Sequence, residues 1–301
     1  MEIFVLKSDE VAAITRGTHG NPHHILGMHQ CLNDCYVNAY LPRATAAFVL
    51  RINEETGEPI FKYPMTEIGS QGFFTVKIED SGAFAYKLIT EGEQAAEFYD
   101  PYSFGYSVDP VNVMKVVNGD DGILSDFHVK DLFGARQITL DGVQGVSFCM
   151  NMPGATRVSV VGDFNGWDGR VNPMRRIDYT DMFELFIPGD LMNTRYKFEA
   201  LYRDGNTDIF ADPYAEVYEV APGNASVLAK LEYSWSDSSY MKKRGSVSAP
   251  VNIYEVHMPT WKRNSDGYPL NYLEFGKEAA MYVKNMGYNY IPVSYTHLTL
   301  P

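Results

Sequence analysis

VSVVGDFNGWDGRVNPMRR, running from Val158 to Arg176, is the stretch whose reading decides the fold. Val158, Val160 and Val161 form an apolar strand pattern, a tight polar turn follows, and Asn172-Pro173-Met174 marks the return of the chain. Gly162, Gly166 and Gly169 admit left-handed backbone at close spacing, and Asp163, Asn165 and Asp168 are residue types that stabilise turns. One indole, Trp167, sits at the tip. An aromatic on a polar turn has two readings: a platform for a flat ligand, or an anchor against a neighbouring domain.

Outward from this stretch the chain repeats itself. Upstream lie the Tyr36–Leu41 strand pattern, Arg43-Ala44-Thr45-Ala46, the apolar Phe48-Val49-Leu50, Tyr63-Pro64-Met65, strands at Phe73–Ile78 and Phe84–Ile89, and Asp100-Pro101-Tyr102. The second round reads Val146–Met150, Gly154-Ala155-Thr156-Arg157, Val158–Val161, Asn172-Pro173-Met174, Phe183–Ile187, Tyr196–Ala200 and Asp212-Pro213-Tyr214. Ala44 and Ala155 are 111 positions apart, Pro64 and Pro173 109, Tyr86 and Tyr196 110, and Asp100 and Asp212 112. Four matches in order at one spacing indicate a duplicated domain. Short β-branched and aromatic strands between Gly, Pro, Asp and Asn turns predict an immunoglobulin-like β-sandwich for each copy. Most repeated positions, including Tyr86, Tyr196 and the Asp-Pro-Tyr turns, are read as a record of common fold.

The first copy has an opening that the second lacks, GTHGNPHHILGMHQCLNDC, from Gly17 to Cys35. It gathers His19, His23, His24 and His29 ahead of Cys31 and Cys35. Structural zinc sites pair ligands at regular short spacings. These histidines straddle Asn21-Pro22 and Gly27 irregularly, so an ordered loop whose histidines hydrogen-bond backbone is expected, and no metal.

Beyond Trp235 the period changes. Ser236 to Pro250 is polar and basic and reads as a linker. Val251–His257 has a buried-strand pattern, and Tyr272, Phe275, Ala279, Val283 and Met286 recur at helical spacing, predicting a helix over Asn271–Met286 capped by Gly287. Asn289–Ile291 begins another strand. Strand, helix, strand is the start of a parallel βαβ unit. The expected fold class is mainly β: two tandem immunoglobulin-like β-sandwich modules, then the first βα(β) unit of an incomplete (β/α)8 barrel. The domains expected are 1–135, 136–235, a linker at 236–250, a barrel start at 251–291 and a tail at 292–301.

A net charge of −13 argues against nucleic acid or an anionic membrane as partner. The N-terminus lacks a basic region followed by a long apolar stretch, and three sparse cysteines (Cys31, Cys35 and Cys149) fit free thiols in a reducing compartment. A cytoplasmic location is expected.

GTHGNPHHILGMH, VVGDFNGWDGRVNPM, IYEVHMPTWKR and YVKNMGYNYI occur in this order in bacterial glycogen branching enzymes, 1,4-α-glucan branching enzymes, which the chain resembles from about residue 17 to 291. The resemblance implies a non-catalytic N-terminal sandwich, a glycogen-binding-type carbohydrate-binding module and the start of an α-amylase-type barrel. It implies α-glucan (glycogen or amylose-type chains) as partner and no cofactor. The parent activity is cleavage of an α-1,4 link and its re-formation as an α-1,6 branch, in glycogen biosynthesis. Such retaining transfer needs two carboxyls about 5–5.5 Å apart. In the family these come from later barrel strands, so no residue here is assigned as catalytic, and Glu255 and Asp266 match no such motif. After Ile291, PVSYTHLTLP leaves the family pattern, and Val293–Pro301 resembles a cloning-derived tail. The chain is therefore expected to be an N-terminal fragment, itself inactive. The alternatives are a stand-alone α-glucan-binding module, a purely structural piece, or a fragment of a debranching or trehalose-releasing relative. Candidate glucan-binding residues are Trp167, which the relatives would use either on sugar or against the barrel, with Asn165 beside it, and Trp261, just past the first barrel strand. Trp235 is expected in a core or interdomain position. The oligomeric state is not legible.

Overall fold

The computed structural model describes residues 6–69, 71–79, 81–93, 95–119, 132–229, 234–243 and 250–293. These fall into two compact units, Met1–Leu231 and Glu232–Pro301.

The first unit holds both sandwiches. After helix α1 (Ser8–Thr15) come strands β1 (Gly27–Cys31), β2 (Asp34–Tyr40), β3 (Ala44–Ile52), β4 (Pro59–Pro64), β5 (Thr66–Ile68), β6 (Phe73–Ile78), β7 (Tyr86–Gly92) and β8 (Ala96–Tyr99). They pair antiparallel in two sheets, β1-β2-β6-β5 and β4-β3-β7-β8. Alternate residues turn inward, so Val37 and Ala39 from β2 meet Val49 from β3 and Tyr86 and Leu88 from β7. Each large side chain buried this way contributes about 1.5–3 kcal/mol, which is what holds two otherwise separate sheets face to face.

The second sandwich runs through β9 (Gly134–Leu140), β10 (Val143–Asn151), β11 (Ala155–Gly162), β12 (Arg175–Arg176), β13 (Met182–Pro188), β14 (Arg195–Tyr202), β15 (Thr207–Phe210), β16 (Val217–Tyr218) and β17 (Ser226–Val227). Its sheets are β12-β13-β10-β9 and β11-β14-β17-β16, with β15 also on β14. Strands β10 and β13 are buried on both faces. One face meets the sandwich core at Phe148, Phe183 and Leu185. The other is covered by helix α2 (Pro110–Val117), whose Val113 packs with Cys149 and Met182. Cys31, Cys35 and Cys149 are all buried free thiols.

The repeat is visible atom by atom. Tyr86 donates its hydroxyl to Asp100 Oδ2 at 2.6 Å, and Tyr196 donates to Asp212 Oδ2 at 2.6 Å. The other oxygen of each carboxylate accepts from the backbone two residues on, Tyr102 N at 2.9 Å and Tyr214 N at 2.8 Å. Thus the repeated Tyr and the Asp of each Asp-Pro-Tyr form a buried hydrogen-bonded pair in each sandwich.

In the second unit, Asn271 caps helix Tyr272–Met286 by accepting from Glu274 N at 2.9 Å, and Gly287 closes it at φ 81°. Phe275, Ala279 and Val283 are its buried face. The flanking segments meet in parallel at Ile253 with Tyr290 and Val256 with Val293. Val293 thus pairs within the unit although the family resemblance ends at Ile291. Residues 294–301 and 244–249 lie outside the described residues, and the stretch read as a linker contains a short helix, Ser238–Lys243. No helix among the described residues is long and apolar enough to cross a membrane.

Candidate functional site

The Val158–Arg176 turn leaves β11 at Gly162 and makes one turn of 3₁₀ helix, Asp163–Asn165. Gly166 (φ 64°) and then Trp167 itself (φ 63°) adopt left-handed backbone. A β-carbon disfavours that conformation, so the pose of Trp167 has to be held by other contacts. Gly162 is fully extended instead, and Gly169 makes room for the Glu199 carboxylate, which pairs with Arg157 at 2.6 Å.

Asn165 supplies much of the hold. Its Oδ1 accepts from Gly162 N at 2.9 Å and from Trp167 N at 3.2 Å. Its Nδ2 donates to Val160 O at 2.8 Å and to Asn172 Oδ1 at 2.9 Å. The residue is buried and every hydrogen-bonding position of the amide is engaged. The amide on which a sugar hydrogen bond is expected thus faces into the loop.

Trp167 is 38% exposed, and its indole N–H donates to Asp163 Oδ1 at 3.2 Å. Asp163 is gripped by Arg195, whose Nε and Nη2 each lie 2.9 Å from a carboxylate oxygen. That guanidinium holds the Asp163 carboxyl below its usual pKa. Arg195 also reaches Glu219 at 3.2 Å, and Glu219 accepts from Ala225 N at 3.0 Å. Two residues along β14, on the same face, Lys197 Nζ donates to Asn224 Oδ1 at 2.5 Å. The result is an exposed indole beside a ledge of paired donors and acceptors. Sequence reasoning missed the ledge. Its signal is the alternation in β14, where Tyr196, Phe198 and Ala200 face the core and Arg195 and Lys197 therefore face out.

Trp261 lies elsewhere. Its indole N–H donates to the Tyr254 hydroxyl at 3.1 Å, and its ring meets Phe275 edge-on at 5.5 Å and Tyr282 at 6.0 Å. It packs on the helix of its own unit and is half-buried there. Trp235 is 75% exposed, so of its two expected places, core or interdomain, it does not take the first.

The histidine-bearing opening is an ordered loop. His19 Nδ1 accepts from Asn21 N at 3.2 Å, His29 Nε2 lies 3.1 Å from Leu26 O, and His23 sits edge-on to Tyr102 at 5.0 Å. Burial, aided by nearby Arg175, pushes His23 down to about 3 and keeps it neutral. No group of three His, Cys, Asp or Glu side chains among the described residues is placed to hold a metal. The loop instead packs on the second sandwich. A Cβ at Gly17 would come within 2.8 Å of Arg170 Cγ, and Arg170 is itself paired with Asp168 in the turn at 2.7 Å. Two of the stretches that carry the family resemblance therefore lie against each other.

Residues 132–215 match carbohydrate-binding module 48, described as the isoamylase N-terminal domain. Residues 7–102 match the N-terminal domain of alpha-1,4-glucan branching enzyme GlgB. The two domain types follow one another along the chain, one to each sandwich. The two matches and the named relatives fit an N-terminal fragment of a 1,4-alpha-glucan branching enzyme. The chain is 35% identical over 294 residues to the GlgB of Paramagnetospirillum magneticum, covering 95% of this chain and 38% of that one. With the GlgB of Rhodospirillum rubrum it shares 36% over 303 residues, covering 95% and 40%. It thus spans about two fifths of the length of these relatives. Among solved structures, a Paenibacillus barengoltzii pullulanase complexed with maltotriose matches 26% of this chain and 12% of its own at 33% identity and a TM-score of 0.24. A type I pullulanase from Bacillus subtilis complexed with maltose matches 86% and 35% at 16% identity and a TM-score of 0.36.

Proposed function

We propose that this chain serves the cleavage of α-1,4-glucan and its transfer into α-1,6 branches, and that its second sandwich contacts the glucan through Trp167 and the adjoining ledge. The observation that carries this reading is the presentation of Trp167: a partly exposed indole, held in left-handed backbone, beside Lys197-Asn224 and Arg195-Asp163. Sugar rings are recognised by an aromatic face together with paired hydrogen-bonding groups at the ring edge. Aromatic stacking of this kind contributes about 1–3 kcal/mol where it has been measured on nucleobases.

The Glu232–Pro301 unit is read as the opening βα(β) step of the catalytic (β/α)8 barrel. Its parallel pairing across a helix supports this, as does its apolar exterior. Leu273, Met281 and Met286 on the helix, and Ile253 and Tyr290 on the paired segments, are all exposed. Faces of that kind are covered by neighbouring βα units in a closed barrel. Among the residues described, none is assigned a part in bond cleavage.

Affinity electrophoresis through glycogen-containing gels tests the glucan reading. The full chain is expected to be retarded, and Trp167→Ala to lose most of that retardation, a drop of about tenfold in affinity. Unchanged retardation in a folded Trp167→Ala chain would leave Trp167 as a packing residue and remove the proposed site.

A further inference from the structure

The left-handed pose of Trp167 has a contact from outside its own sandwich. Arg43 lies in the turn between β2 and β3 of the first sandwich, and its guanidinium covers Gly166, the residue before Trp167. Its Nη2 is 3.5 Å from Asn165 O, and a Cβ placed on Gly166 would overlap the guanidinium. Arg43 lines a cleft of about 400 Å³ between the two sandwiches, together with Leu41, Phe98, Tyr99, Phe164 and Leu191. Arg43 is exposed, so its place does not follow from general core packing. The equivalent position in the second copy, one before the Ala-Thr pair, is Gly154, where a Cβ would meet nothing within 4 Å. The arginine is therefore particular to the first copy, where it alone has a turn to cover.

We propose that Arg43 is a positioning residue: the first sandwich sets the pose of Trp167 through the Arg43 guanidinium lying on Gly166, and thereby tunes the glucan contact of the second sandwich. The part concerning glucan rests on the function proposed above; the part concerning pose does not. Two consecutive left-handed residues, one of them a tryptophan, are held only where surroundings over-determine them. Inside the turn Asn165 and Asp163 fix the Trp167 amide and indole N–H. Arg43 adds the wall that keeps the Asn165-Gly166-Trp167 corner from flipping outward. A lysine would keep the charge but not the flat, forked surface.

The test uses the full chain labelled with 5-fluorotryptophan, in which Trp167→Phe assigns the Trp167 resonance and Trp235 and Trp261 serve as internal controls. Without sugar, Arg43→Ala is expected to shift or broaden the Trp167 fluorine resonance while the other two and the thermal midpoint stay in place. Arg43→Lys is expected to move it the same way by less. Maltoheptaose binding, followed on the same resonance, is expected to weaken about fivefold in Arg43→Ala. A Trp167 resonance unmoved in a folded Arg43→Ala chain would overturn the proposal. A moved resonance, in a chain whose maltoheptaose affinity measured by titration calorimetry is indifferent to Trp167→Ala, would keep the positioning role and overturn the glucan reading alone.

Discussion

Asn165→Ala separates a residue that shapes the Trp167 turn from one that would touch sugar. In the structure the side chain makes four hydrogen bonds, at 2.9, 3.2, 2.8 and 2.9 Å, from a buried position. Each neutral hydrogen bond contributes about 0.5–1.5 kcal/mol net, and a buried partner left unpaired costs about 1–3 kcal/mol. Asn172 is also buried and would lose the donor to its Oδ1. The sum is a loss of about 3 kcal/mol. With a urea dependence of about 1–3 kcal/mol per molar, the unfolding midpoint of the second sandwich should fall by about 1 M or more. The assay is urea denaturation followed on the Trp167 resonance. Asn165→Asp keeps the acceptor but sets a carboxylate against Val160 O and Asn172 Oδ1. It should be at least as damaging near neutral pH and milder near the ordinary aspartate pKa of about 4, where the carboxyl gains a proton to donate. The reasoning fails if Asn165→Ala lies within about 0.5 kcal/mol of the parent chain, the scatter of ordinary surface changes, while glycogen retention is lost. That outcome would place Asn165 on the sugar.

Two further predictions concern the repeated Tyr–Asp pairs. Tyr86→Phe leaves the Asp100 side chain with the Tyr102 N–H, whereas Tyr196→Phe leaves Asp212 with two backbone donors, Tyr214 N and Ala135 N at 3.1 Å. Tyr86→Phe should therefore cost about 2–3 kcal/mol and Tyr196→Phe about 1.5–2 kcal/mol by urea denaturation, and the reverse order would contradict the comparison. Burial also pushes Asp100 up to about 6, against the opposing hydrogen bonds from Tyr86 and Tyr102 N. Because the folded form holds the proton more tightly than an unfolded aspartate, this group favours folding fully below about pH 4 and loses that contribution as pH rises through about 6, a swing of about 3 kcal/mol. Asp100→Asn should flatten that part of the stability–pH profile; parallel profiles for the two chains would rule the linkage out.

The central strands are legible because their signal is local. β2, β6, β10, β11, β13 and β14 alternate apolar and polar residues or run apolar, and the pattern places each to within a few residues. The edge strands are not. β4 and β5 are exposed almost throughout, so no alternation marks them, and β1 is hidden inside the histidine-bearing opening. At the site, Trp167 can be singled out from its turn, since the Gly and Asp pattern around it is a sequence property. The direction of the Asn165 amide cannot, because it depends on left-handed backbone at Trp167 itself, a residue type that gives no warning of it. Trp261 looks available at the end of a strand pattern. Tyr254, Phe275 and Tyr282, which contact it, come together only once the helix has folded back.

The duplication explains where the two sandwiches have parted roles. Both copies keep the Tyr–Asp pair, but the tyrosines that follow in Asp-Pro-Tyr differ. Tyr214 stacks on Phe133 at 5.1 Å and stays on its own sandwich. Tyr102 donates its hydroxyl to Val171 O at 3.1 Å and Pro173 O at 3.2 Å, on the returning limb of the Trp167 turn. Phe104, two residues on, meets Phe186 edge-on at 4.8 Å, and Ser107 N donates to the buried Glu184 at 3.0 Å. Arg43 and Gly17 add further contacts to the same turn. One copy thus presents the indole and the other braces the loop that carries it. A position shared by both copies for reasons of fold became, in the first copy, a contact for the second, and the first sandwich is as much a part of the candidate site as the one that bears Trp167.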